Sequence, residues 1–172
     1  MDKFTLTALA SFPGQLAACY AALPADHANW SPDSWQGIPS EAFTPLGQVC
    51  HVRDIEIDGY HVRIQRILNE SHPVFATIDG ETLGRERGYS KASATEALSA
   101  FRTARIHTMA LLSRLTPQQF ARTGVLEGYG PLTLRSLAHY LCSHDQQHLA
   151  GLQWLLGKIE ASLARTSRPL AA

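Results

Sequence analysis

The sequence has little of what usually announces a function. Its three cysteines, Cys19, Cys50 and Cys142, are odd in number, far apart and without a CxxC pair. That excludes a disulfide framework and a cysteine zinc site and leaves them as small buried residues. An excess of one charge is also missing. Fifteen basic side chains balance 15 acidic ones and no basic stripe tracks a phosphate backbone, so no nucleic-acid partner is expected. No segment approaches the roughly 20 apolar residues needed to cross a bilayer. The opening MDKFTLTALASFPGQLAACY lacks the charged start and unbroken apolar run of a secretory signal. These absences lead us to expect a soluble, cytoplasmic protein with no membrane partner. Repeats, heptads and low-complexity tracts are absent too, apart from a polar tail, 163–172, expected to fray. No stretch reads as a strand.

What is present is helical periodicity, in a chain of 172 residues, the size of one domain, taken as 1–172. Four helices are expected. The first covers about 4–22, with Leu6, Leu9, Leu16, Cys19, Tyr20 and Leu23 at helical spacing and Pro13 marking a kink or break. A second, about 44–69, opens at Thr44-Pro45, a capping threonine followed by a proline suited to the first turn. A third, about 93–114, starts at Ser93 with Glu96 at capping-box spacing. The fourth, about 132–161, follows Gly130-Pro131. Together they predict an all-α, four-helix bundle, a fold that builds metal and ligand sites from side chains on facing helices. Between the second and third helices a long connection, 71–92, shows no element of its own and is expected to lie over the site. The segment carrying Trp30, Trp35 and Phe43 is too apolar to float free.

The fourth helix carries the chemistry. Its inward positions step by three and four: Leu134, Leu137, Leu141, His144, His148, Leu152, Leu155, Ile159. Two histidines thus stand in the seam where leucines belong. A buried imidazole without partners costs a few kcal/mol, roughly, and two imidazoles one turn apart repel if both are protonated. Either ordinary hydrogen bonds satisfy them, or a divalent metal does, because residues i and i+4 share a face and can point at a common centre. A metal needs a third ligand from another helix. The second helix offers His51 or His61. Its apolar stripe, Leu46, Val49, Cys50, Ile57, Tyr60, Ile64, Leu68, has His61 at its margin and His51 further round, which on periodicity alone slightly favours His61.

A tryptophan-containing loop precedes a helix bearing H-x-x-D-x-E at His51, Asp54 and Glu56. A long connection, a third helix and G-P-L-T-L-R-S-L then lead into H-D-x-x-H at His144, Asp145 and His148. This order, over nearly the whole chain, resembles the DinB-like superfamily of four-helix-bundle proteins. The resemblance implies a divalent metal held by one histidine early in the second helix and two in the fourth, which maps onto His51, His144 and His148. It also implies a homodimer and, as reactions known in the superfamily, thiol-dependent transfer using low-molecular-weight thiols. RDIEIDGYHVRIQRIL is most like a branch of the superfamily without an assigned reaction.

Three neutral imidazoles leave a metal with open positions for water, a thiolate or a carbonyl oxygen, and they suit zinc or nickel better than calcium or magnesium. Asp54, one turn from His51, and Asp145, next to His144, are candidates to orient the ligands, since metal-bound histidines commonly donate their other nitrogen to a carboxylate. Asp145 lies about 100° round the helix from His144, the position of an ordinary solvated carboxylate. Tyr60, Tyr89, Tyr129 and Tyr140 are packing residues that can also donate hydrogen bonds, and Arg85 and Arg87 can hold an anion. The expectation is a metal-dependent transferase or hydrolase acting on a small molecule, with a low-molecular-weight thiol as a candidate partner. The competing expectation is a non-catalytic stress-response or binding module with a structural or vestigial metal.

Overall fold

Helix starts fall where the sequence supplies a side-chain acceptor. In the computed structural model, which describes residues 1–166, Asp2 accepts from the Thr5 amide at 2.8 Å and opens α1, Lys3–Ala21, which passes Pro13 without a break. Thr44 accepts from Gly47 N and Pro45 occupies the first turn of α2, Pro45–Asp54. A π-helical segment, Ile55–His61, continues directly into α3, Val62–Asn69. A π turn holds one residue more than an α turn, and each extra residue rotates the downstream face by about 100°. Glu56 is therefore buried while Ile57, assigned to the apolar stripe, is exposed.

The connection between the second and third helices is not bare. It contains strand β1, Val74–Phe75, helix α4, Gly80–Glu86, and a 3-10 turn at Tyr89–Lys91. After it come α5, Ala94–Leu112, capped by Ser93, and α6, Pro117–Phe120, opened by a capping box of Thr116 and Gln119. The all-α expectation needs a further correction. β2, Thr123–Leu126, pairs antiparallel with β3, Gly130–Thr133, and parallel with β1, making a three-stranded sheet of order β1-β2-β3. Gly130-Pro131, taken as the entry to the last helix, lies in β3, and α7 runs from Leu134 to Thr166. Strands of two to four residues are too short for alternation to register in the sequence. Residues 167–172, most of the tail expected to fray, lie outside the described residues.

The core is split. One apolar cluster holds Leu9, Ile64, Leu112, Leu137 and Leu141; the other holds Phe12, Val49, Phe101 and Leu152. On α5 and α7 the change from one cluster to the other falls at polar residues: Arg105 between Phe101 and Leu112, and Asp145 and His148 between Leu141 and Leu152. A buried polar layer therefore crosses the bundle between two oily ends. The seam predicted for the last helix is buried along its length, with His144 partly accessible.

Candidate metal centre

α7 is a long helix with one buried face, so His144 and His148 lie one turn apart on that face, their ring centroids 4.4 Å apart and their planes tilted by 57°. From α2, His51 reaches the same point: its Nε2 lies 3.3 Å from His144 Nε2, and His144 Nε2 lies 3.1 Å from His148 Nε2. A fourth donor arrives from the loop before α2. Glu41 places Oε2 3.1 Å from His148 Nε2 and Oε1 3.7 Å from His51 Nε2. All four ligand atoms lie within 4.8 Å of one another.

The tautomer of one ring is set by a buried amide. Gln48, wholly inaccessible, faces Ser40 Oγ and the carbonyls of Glu41 and Phe43 with its Nε2, which turns its Oε1 towards His148 Nδ1. His148 therefore donates from Nδ1 to Gln48 and presents Nε2 to the cluster. The loop comes this close because residue 151 is glycine: a Cβ there would stand 2.1 Å from Ser40 Oγ. A similar approach occurs at Gly80, the first residue of α4, where a Cβ would meet the His51 ring at 2.5 Å. On its other side His51 stacks on Phe43 at 4.8 Å between centroids.

The electrostatics call for a cation. Burial lowers His51 to about 4, reinforced by repulsion from His148, and burial likewise holds His144 well below the ordinary imidazole value. Glu41 is pulled down to about 2, chiefly by its hydrogen-bonding contact with His148. The uncharged imidazoles of His51 and His144 thus bring their Nε2 atoms to 3.3 Å, with a Glu41 carboxylate oxygen 3.7 Å from His51 Nε2, a crowd of lone pairs that one positive charge at the centre resolves. A tetrahedral ion about 2.0–2.1 Å from each nitrogen separates its ligands by about 3.3 Å, close to the spacings here. Among the described residues, His51 Nδ1 is the buried side-chain atom without a hydrogen-bond partner, so the donor set fits a metal while this ring lacks an orienting acceptor.

A profile of the DinB superfamily matches residues 13–152. The chain belongs to the DinB superfamily. Among solved structures it is similar to YfiT from Bacillus subtilis, described as a probable metal-dependent hydrolase with an unusual four-helix bundle topology. The TM-score is 0.79 at 20% identity, covering 93% of this chain and 90% of that one. At that identity the likeness speaks for the fold. No curated protein matches the sequence.

The two aspartates proposed to orient the ligands serve other groups. Asp54 is buried, yet its oxygens are taken by Arg53 at 2.6 Å, Arg87 at 3.0 Å and the Tyr89 hydroxyl at 2.8 Å. Asp145 is buried rather than solvated and binds Arg105 through two hydrogen bonds of 2.7 and 3.0 Å. Arg105 also grips Glu56 and donates to the Leu9 carbonyl. Two carboxylates share one guanidinium here, and burial pushes Asp145 up to about 7 although Arg105 opposes it. His61, the rival ligand, points elsewhere, to Ala104 O at 3.1 Å and Thr108 Oγ1 at 2.8 Å. Arg87 is bound to Asp54 and Asp58, and Arg85 donates to Thr82. Glu41 and Gln48 escaped the sequence reading. Gln48 precedes His51 by three residues on the same helix face, a signal that was available; Glu41 sits in a loop with no periodicity to mark it.

Beside the cluster opens a cavity of about 220 Å³, reached by Glu41, His51 and His144 and walled by Tyr60, Tyr129 and Tyr140. It gives a small molecule access to the same atoms that converge on the candidate metal position.

Proposed function

We propose that this protein is a divalent-metal-dependent enzyme, with zinc or nickel held by His51, His144 and His148, that transfers a thiol to a small molecule or hydrolyses one. The observation that carries this reading is the convergence of three imidazole nitrogens on one point beside a cavity open to small molecules. A bound ion would supply Lewis acidity, bringing the pKa of water or of a thiol close to neutrality. Gln48 holds the His148 ring in the ligating tautomer. Glu41, kept ionised by its surroundings, sets a negative charge at the cavity edge that can orient a bound water or a substrate donor. The description of YfiT as a probable metal-dependent hydrolase favours the hydrolytic branch. The test is reconstitution with zinc or nickel, followed by screens with small thiols plus electrophiles and with small esters and amides. Turnover that disappears in His148→Ala supports the reading; loaded protein inert in every screen counts against it.

One observation favours the non-catalytic alternative. Glu41 would be a fourth protein donor, and four protein ligands close a tetrahedral site. The Glu41 side chain is 53% exposed and rides on a loop, unlike the buried histidines His51 and His148. A cobalt-substituted protein whose spectrum shifts on adding a thiol has a position to exchange; a spectrum indifferent to thiol in wild type but responsive in Glu41→Ala assigns the metal a structural role.

A further inference from the structure

The cavity has an end that the histidines do not use. Arg63, on α3, lines it and is only 9% exposed. Among the described residues its guanidinium makes one hydrogen bond, from Nη2 to the Ala76 carbonyl at 3.3 Å, and it lies 5.7 Å from the centre of the Tyr60 ring. Four other arginines have carboxylate partners: Arg105 holds Glu56 and Asp145, Arg53 and Arg87 hold Asp54, and Arg66 holds Glu70, whereas Arg85 and Arg122 donate to the Thr82 hydroxyl and to backbone carbonyls. Arg63 has none among the described residues, although it is far more buried than Arg53, Arg66 or Arg87. Buried charges are ordinarily paired, and a guanidinium carries five N–H donors in a fork that matches a carboxylate.

The arrangement around it is polarised. Among the described residues, the one acidic side chain of the cavity wall is Glu41, at the histidine end, and Arg63 is its one arginine or lysine. Tyr60 separates the two ends, its ring 6.2 Å from the His144 ring and 5.7 Å from the Arg63 Cζ. Thr77, Ser143 and Gln147 add neutral hydrogen-bonding groups to the wall.

We propose that Arg63 binds a carboxylate of the substrate, which makes the substrate a small carboxylic acid whose reacting group sits at the histidines, about one aromatic ring away. A single cation suits a monoanionic carboxylate better than a phosphate ester, which carries nearly two charges and generally takes several donors. The proposal rests on the metal-dependent reading for what happens at the other end of the molecule, but the Arg63 contact itself requires no metal.

The test uses 3-mercaptopropionate and its neutral amide, 3-mercaptopropionamide, titrated by calorimetry and ligand-observed NMR into metal-loaded and metal-free protein. The acid is expected to bind wild type at least about tenfold tighter than the amide, the size of effect that a charged hydrogen-bonded pair supplies. Arg63→Gln should erase that preference at unchanged metal content, and Arg63→Lys should keep part of it. Equal binding of acid and amide to wild type in both preparations, or a preference that survives in Arg63→Gln, overturns the proposal. If Arg63→Gln does not fold, as judged by circular dichroism, a preference undiminished in Arg63→Lys is the overturning result. A protein that takes up no metal defeats the metal reading alone, since the metal-free comparison still reports on Arg63.

Discussion

Gln48 settles which nitrogen of His148 faces the other histidines, and it does so from inside the protein with its own donors already engaged. Replacing it by leucine removes the acceptor at Nδ1 while keeping the bulk. Groups that orient metal ligands in this way typically govern about 10- to 100-fold in affinity. We expect Gln48→Leu to weaken zinc binding by that amount in a competition titration against a chelator, with helical content unchanged. The histidines also set a pH dependence in the metal-free protein. His51 has its ordinary value of 6.5 in the unfolded chain and about 4 in the fold. Between those values the unfolded chain binds a proton that the folded chain refuses, so stability rises with pH across the window and is lost as pH falls through it. Urea unfolding followed from pH 7 to pH 4, roughly the span of that shift, should show a falling midpoint in the metal-free wild type. The fall should be shallower in His51→Leu.

At the scale of elements, the π segment and the all-round burial of α2 explain why the second helix is hard to read. α2 is buried nearly all round, so it has no single apolar stripe, and the π turns shift the phase of every residue after Asp54. A period-3.6 reading therefore favours His61, whereas His51 faces the cluster. The last helix was legible for the opposite reason: it presents one continuous buried face, and two histidines stand out in it. The buried layer joining these helices makes its own demand. Arg105→Met leaves Glu56 and Asp145 without their cation, and removing one partner of a buried ion network costs about 3–5 kcal/mol. Urea titration of that variant should show a loss of that order. Gly151→Ala separates helix stability from the site. Alanine favours a helix by up to about 1 kcal/mol over glycine, yet its Cβ would displace Ser40 and, with it, Glu41. Zinc affinity should drop while helical content by circular dichroism does not.

Across the whole molecule, the bundle was legible because long helices repeat their signal over many turns. The sheet was not, because its strands run two to four residues and one of them begins at the Gly-Pro pair that also suits a helix start. The site was half legible for a related reason. His144 and His148 are neighbours within one helix and Gln48 stands one turn before His51, but that Gln48 meets His148 across 100 residues of sequence and that Glu41 reaches it from a loop are long-range contacts which no local pattern encodes. Arg63 was invisible for want of anything missing in the sequence: an arginine without a partner is a fact of three dimensions. Among the described residues no helix is long and apolar enough to cross a membrane.

The most direct test of the account is metal content by plasma mass spectrometry on protein purified without a histidine tag or chelator, for wild type, His51→Ala, His61→Ala and His148→Ala. The account predicts near-stoichiometric zinc or nickel in wild type and His61→Ala and its loss in His51→Ala and His148→Ala. A wild type that stays empty after reconstitution, or a metal that persists without His51 and His148, contradicts it.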